Sequence, residues 1–366
     1  MQMIELLCFL SIFLLILSIL PFSKNQHWVF RVPEFLLLQI TILQVIVFGI
    51  SWFWAKGETL LFVLQIFQLG FIIYHVFTLI RFTKFYKNKD HRRPKHASEL
   101  VRGIAVNVYQ FNTQFQKLID LITKEQPDFL ITMESNSDWE KAMRVVEKDY
   151  PFSEKVTLEN TYGMHFYSKL EILEVKTNYF VADDLPSIEA KLKTQDGYEF
   201  VFFGVHPPPP SPTEEKTSKE RDGDLLSIAK KVKSHKIPVL VSGDFNNVAW
   251  AYSSQLFRKT SELIDARIGR GIFATFHAKH WFFRVPLDLL YHSKEIFVKE
   301  IFTYPSIGSD HFPLGFSFFI DREEDEQKEE IKTLENGEIH EVNQLIEEGK
   351  KEKSENREEV ATEDKI

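Results

Sequence analysis

Apolar and polar positions follow three different patterns along the 366-residue chain. Up to residue 80 the apolar residues run nearly unbroken, in segments 4–20, 35–54 and 59–80. A helix apolar on every face suits a bilayer, and a span needs roughly 20 such residues, so the pattern predicts three transmembrane helices. The first segment is the shortest. It carries Glu5 but no Lys or Arg ahead of its apolar run, and no small-x-small site precedes Pro21. It therefore lacks the marks of a cleaved signal peptide and is read as a retained helix. Trp28, Trp52 and Trp54 stand at segment ends, where interfacial aromatics belong. Gln39, Gln44, Gln65, Gln68 and His75, inside the segments, are expected to hydrogen-bond between helices.

From residue 101 to 320 the pattern breaks into short runs. Residues 103–109, 128–133, 163–168, 188–192, 199–206, 239–245, 287–292 and 312–319 read as strands. Residues 113–126, 138–149 and 219–234 read as amphipathic helices. These belong to one α/β domain. After residue 321 aromatics disappear and charge dominates, which predicts a disordered tail or a solvated helix over 321–366. The domain division is thus helices over 1–80, a basic linker over 81–100, an α/β domain over 101–320 and a charged tail.

Charge refines this division. The chain carries a net −8, but residues 321–366 alone hold 18 acids against 8 Lys and Arg. The α/β region is close to neutral, which excludes the broad basic surplus of a tight non-specific duplex binder. Lys24 and Arg31 in the first loop, with Arg81, Lys84, Lys87, Lys89, Arg92, Arg93 and Lys95 after the third segment, outnumber Lys56 of the second loop nine to one. Three spans would place those nine on one side together with the α/β domain, and that side is expected to be cytoplasmic. The single cysteine, Cys8, excludes an intrachain disulfide and a cysteine-based metal site.

Chemistry-bearing residues gather at strand ends. Asn107 ends the first strand run of the α/β region and Glu134 follows the second. His206 closes a strand and precedes four prolines, a stiff loop at positions 207–210. Asp244 ends another, and Asn246 stands two residues on, on the same side if the chain stays extended. Asp288 lies in LDLLYH, and Asp310 and His311 lie in GSDH before the last strand. Singly, an Asn or Asp after a strand is a turn former. Together they form a set of carboxylates, amides and imidazoles that one sheet edge could bring together. Trp250 and Trp281 are read as core or rim packing.

GVH, GDFN, LDLLYHS and GSDHFPL occur in the order and spacing of the endonuclease/exonuclease/phosphatase superfamily, which residues 101–320 resemble. The segments from HPPPPSPTEEKTSKERDGD through DARIGRGIFATF also resemble its membrane-anchored bacterial YafD-like branch. The resemblance implies a deoxyribonuclease-I-like four-layer α/β sandwich of two mainly antiparallel sheets. It implies a divalent-metal-dependent phosphoester hydrolase using Mg²⁺, with Mn²⁺ as the alternative. Glu134 is then the main metal ligand, with Asn107 beside the ion and Asp310 completing or bridging to its shell. Asp244 and Asn246 correspond to the pair that orients water and phosphate, Asp288 and His311 to a dyad, and His206 to the histidine near the leaving group. The chain departs from the family pattern with Val108–Tyr109 after the asparagine and Met133 before the glutamate. The expected partners are the lipid bilayer and a phosphoester, whether nucleic acid, phospholipid head group or small ester. The alternative is a membrane scaffold whose catalytic domain has decayed.

Overall fold

The computed structural model describes residues 2–86, 94–323, 326–354 and 357. Part of the basic linker (87–93) and most of the tail beyond 354 lie outside the described residues. The chain divides into two compact units.

The first unit contains α1 (Gln2–Ile19), α2 (Trp28–Phe35), α3 (Leu37–Trp52) and α4 (Thr59–Ile80). Gln44 of α3 donates to Ser18 of α1 (2.9 Å), and Gln65 of α4 donates to Ser51 of α3 (2.8 Å). Phe9, Phe67 and Phe77 face outward. Polar groups inside and phenylalanines outside reverse the order of a water-soluble bundle. Of the three expected spans, two are single helices and the middle one is bent. Segment 35–54 is divided, because Phe35 closes α2 and a 74° bend separates α2 from α3. With 16 residues, α3 is about 24 Å long, short of a hydrocarbon core of about 30 Å. Two helices, Gln2–Phe22 and Thr59–Ile80, are each long and apolar enough to cross a membrane, and a third span exists only if the bent pair counts as one.

The second unit holds, in chain order, β1 (Val101–Asn107), α5 (Phe115–Glu125), β2 (Phe129–Met133), α6 (Ser137–Met143), β3 (Phe152–Val156), β4 (Met164–Ser168), β5 (Glu171–Tyr179), β6 (Pro186–Lys193) and β7 (Glu199–Val205). It continues with α7 (Lys219–Lys233), β8 (Val239–Asp244), α8 (Tyr252–Ser261), β9 (Ile264–Asp265), β10 (Asp288–His292), β11 (Ile296–Thr303), β12 (Leu314–Ile320) and α9 (Glu338–Lys351). One sheet runs β11-β12-β1-β2-β4-β3 and the other β5-β6-β7-β8-β10-β9. Only β1·β2 and β7·β8 are parallel; the other pairs are antiparallel.

The layers follow from alternation. Ala105 of β1 faces the core between the sheets, while its neighbours Ile104 and Val106 meet Leu118 and Ile122 of α5 and Trp139 of α6. On the other sheet, Phe202 and Leu240 face inward, while Phe203 and Val241 meet Leu225 and Ile228 of α7 and Phe257 of α8. Phe129, Phe202 and Phe316 interlock across the middle, with Phe129 5.0 Å and 5.9 Å from the other two rings. The result is helix, sheet, sheet, helix, the four-layer sandwich.

Of the two forms expected for the tail, part of it takes the helical one, packed rather than solvated. Residues 338–351 form the helix α9, and its Val342 and Ile346 pack on Leu226 of α7 and Leu256 of α8. A helical apolar pair four residues apart outweighed the surrounding charge.

Candidate active site

Both parallel pairs point their C-terminal ends at one edge of the sandwich, and their antiparallel neighbours start there. Asn107 ends β1, Glu134 follows β2, His206 follows β7 and Asp244 ends β8. Asp288 opens β10 directly opposite Asp244, and Asp310 and His311 precede β12, the antiparallel neighbour of β1. Topology alone therefore delivers these residues to one place.

Two loop conformations complete the delivery. Glu134 (φ 59°) and Asn246 (φ 46°) adopt the left-handed region, a sparsely populated state for such residues that is held where structure demands it. Gly243 (φ 148°) lies so close to β7 that a Cβ would stand 2.1 Å from the Val205 carbonyl oxygen, so only glycine fits.

All eight residues join one network. Asn107 Nδ2 donates to Glu134 Oε1 (2.8 Å) and to Asp244 Oδ2 (3.1 Å). Asp244 Oδ1 accepts from the Asn246 backbone N–H (2.9 Å). His311 Nδ1 bonds Asp288 Oδ2 (2.8 Å), and its Nε2 lies 3.4 Å from Asp244 Oδ2. His206 Nε2 lies 3.8 Å from the same oxygen. Ser309 ties in Asp310: its hydroxyl donates to the Asn107 carbonyl (2.8 Å), contacts Asp310 Oδ1 (3.3 Å) and accepts from the His311 N–H (3.0 Å).

Asn246 differs from the extended-chain expectation. The strand stops at Asp244, and the left-handed turn sends the Asn246 amide to the Pro207 carbonyl (2.9 Å). Its backbone N–H, not its side chain, reaches Asp244. The proline run is therefore clamped to the loop that follows β8.

The electrostatics follow from burial and neighbours. Burial alone would lower the pKa of His311, but Asp288, Asp244 and Asp310 outweigh it and raise it to about 10. Burial lowers His206 to about 4, against a smaller opposing pull from Asp244. The site thus holds one cationic and one neutral imidazole at neutral pH. The imidazolium stands between two carboxylates that would otherwise face each other unshielded. Burial raises the pKa of Asp244; His311 draws it back and Asp288 adds to the rise. Burial and then Asp310 raise Glu134 to about 8.

Sequence reasoning missed several participants. The Gln110 backbone N–H donates to Glu134 Oε2 (3.1 Å). Tyr162 lays its ring 5.3 Å from that of His206 and donates its hydroxyl to Glu214 (3.2 Å). Behind it Arg357 meets Asp184 (2.9 Å), Glu215 (3.0 Å) and Glu220 (2.6 Å). Buried Arg221 pairs with Asp222 (2.9 Å) and donates to the Asn246 carbonyl (3.1 Å). Gln110 and Ser309 adjoin motif residues and were within reach of a closer reading; Tyr162 and Arg357 had no local signal. Of the two positions expected for Trp281, core or rim, the core is ruled out: its side chain is 78% exposed.

The model of the endonuclease/exonuclease/phosphatase family matches residues 104–311. The chain belongs to the endonuclease/exonuclease/phosphatase family. Solved structures share the fold. D. rerio TDP2 complexed with single-strand DNA product is 15% identical, with 60% of this chain and 99% of that one covered and a TM-score of 0.52. The human Nocturnin catalytic domain with bound sulfate anion is 17% identical, with coverage of 61% and 95% and a TM-score of 0.50. The family protein from Bacteroides vulgatus is 18% identical, with coverage of 61% and 100% and a TM-score of 0.50. No curated protein matches in sequence.

The family implies a divalent ion, and the donors at this sheet edge are hard oxygens. Among the described residues no three His, Cys, Asp or Glu side chains group closely enough for an all-protein metal cage. Mg²⁺ keeps several waters and takes only one or two protein carboxylates, a number that Glu134 and Asp310 can supply. Burial first, and then the charge of Asp310, push Glu134 to about 8, so a cation bound there would relieve the repulsion between two hard oxygen donors. The residues fit.

Proposed function

We propose that this protein is a membrane-anchored, divalent-metal-dependent hydrolase of phosphoester bonds. The observation that carries the reading is the single network linking Glu134, Asn107, Asp244, His311 and Asp288 at one sheet edge. Hydrolysis needs a deprotonated water in line with the leaving group and stabilised charge on the phosphoryl oxygens. Asp244, held by the Asn246 N–H and by Asn107, is the proton acceptor, and its raised pKa improves it for that task. His311, kept cationic by Asp288, presents an N–H at Nε2 to a phosphoryl oxygen. Neutral His206 approaches the same Asp244 oxygen as His311 and serves the leaving oxygen. Glu134, with Asp310 and Asn107, would hold Mg²⁺ or Mn²⁺. Such an ion, when bound, supplies Lewis-acid charge at phosphorus and lowers the pKa of a bound water.

The apolar helices are the anchor, and the Lys and Arg that follow α4 support a cytoplasmic α/β unit, joined on that side by Lys24 and Arg31 where the bent α2–α3 pair counts as one span. The test is hydrolysis of bis(p-nitrophenyl) phosphate by the full chain, with and without Mg²⁺ or Mn²⁺. Turnover that vanishes with chelator is expected. Folded protein inert toward diesters and monoesters with either ion would end the proposal.

A further inference from the structure

Between β9 and β10 the chain forms a loop closed at its base, where Phe276 bridges Val285 in antiparallel fashion. That base is built into the site. Phe276 also bridges His311, its ring lies 5.0 Å from the imidazole, and the Ala278 N–H donates to the Asp310 carbonyl (2.6 Å). Lys279 stands over Tyr109, 5.6 Å from the ring, two residues past Asn107. The tip points the other way chemically. Trp281, Phe282 and Phe283 form a 3₁₀ turn and are 78%, 42% and 56% exposed.

Three adjacent aromatics in water are costly and unusual. The other exposed large apolar residues described in this unit, such as Val145, Leu173 and Ile339, are not adjacent to one another in the sequence. The tip also lacks acids: residues 277–285 read HAKHWFFRV, with exposed Lys279 and His280 before the aromatics and Arg284 after them. Trp and Phe beside cations are the composition that enters an anionic lipid interface. The same chain carries helices apolar enough to cross a membrane, so the α/β unit would be tethered to a bilayer by its own chain.

We propose that the Trp281–Phe283 tip docks on the surface of an anionic phospholipid bilayer and sets the phosphoester site at the lipid–water interface. Because the root of the loop is Phe276 against His311, docking places the site one loop-length from the head groups, and the substrate class becomes a phosphoester of a lipid head group. This substrate assignment rests on the hydrolase reading above; the docking itself does not.

The test places the full chain in nanodiscs of phosphatidylcholine and phosphatidylglycerol. Phe283→Cys, in a Cys8→Ser background, carries an environment-sensitive fluorophore, and Trp281→Cys provides a second labelled variant. A nitroxide on the shallow acyl chain serves as quencher. Blue-shifted emission, quenched about two-fold or more by the nitroxide lipid and weakened when phosphatidylglycerol is omitted, is expected. Water-like emission unaffected by the nitroxide overturns docking. So does a shift that depends on two copies sharing a disc, which would mean self-association. So does a shift induced by a single-stranded oligonucleotide without lipid quenching. Hydrolysis of a soluble diester is measured on the same samples. Quenching without turnover would sink the hydrolase reading alone, and turnover without quenching the docking alone.

Discussion

Asp288→Asn removes one charge from the centre of the site while keeping its shape. Asp288 is fully buried, and its Oδ2 lies 2.8 Å from His311 Nδ1. Unit charges at that separation attract by about 6 kcal/mol at an effective dielectric near 20. Not all of this is lost, since the amide oxygen still accepts the Nδ1 proton and Asp244 remains 3.4 Å from Nε2. Weakening a charge-assisted bond to a neutral one costs about 1–1.5 kcal/mol, or roughly 5- to 10-fold in rate. His311→Ala deletes the N–H aimed at the phosphoryl group and should cost about 1000-fold. The double variant should be hardly worse than His311→Ala, because the carboxylate acts through the imidazole. The assay is kcat/KM for bis(p-nitrophenyl) phosphate over a pH series, with folding checked by circular dichroism. Asp288 helps raise His311 to about 10, so its loss should also move the alkaline limb of the profile to lower pH. Strictly additive losses, or an unmoved limb, would refute the dyad.

Three further outcomes follow from the same structure. Gly243→Ala would force a Cβ to 2.1 Å from the Val205 carbonyl at φ 148°, and should destabilise the α/β unit by about 2 kcal/mol or more in thermal or denaturant unfolding. Without divalent ion, Glu134 has a folded-state pKa of about 8, above its ordinary 4.5. The folded state therefore binds more protons, and its stability falls as pH rises from about 4.5 to 8. Mg²⁺ should then raise the unfolding temperature more at pH 8 than at pH 5, and an equal effect at both would contradict the site. Fluorescent protein fused after Ile366 should be bright and alkaline phosphatase inactive there; the reverse would place the α/β unit outside.

The eight strands read from the sequence are all interior strands of the two sheets. The four missed, β3, β5, β9 and β11, are the sheet edges. Edge strands carry polar and charged residues that guard against pairing, as in EILEVKTNY of β5 or the two-residue β9, and this blurs the alternation that marks a strand. The site residues were legible because their motifs are local to strand ends, whereas their convergence depends on two parallel pairings between distant segments. Asn246 was misplaced because periodicity of two holds only while the chain is extended, and a left-handed turn is invisible to it. A helix in the tail was among the expectations, but its packing was obscured by charge, although Val342 and Ile346 already had helical spacing. Trp281 was assigned to packing on composition alone; only the turn in which it sits shows that it faces solvent.

Divalent-ion-dependent turnover of Glu134→Gln beside the unaltered chain is the most direct measurement of the central claim. Glutamine keeps the length and the hydrogen bond from Asn107 but removes the charge that a hard cation requires. The unaltered chain should hydrolyse the diester with saturable dependence on Mg²⁺. The variant, equally folded, should fall by about 100-fold or more at any Mg²⁺ concentration. A folded Glu134→Gln protein with unchanged turnover and unchanged Mg²⁺ dependence would contradict a Glu134-centred phosphoester hydrolase.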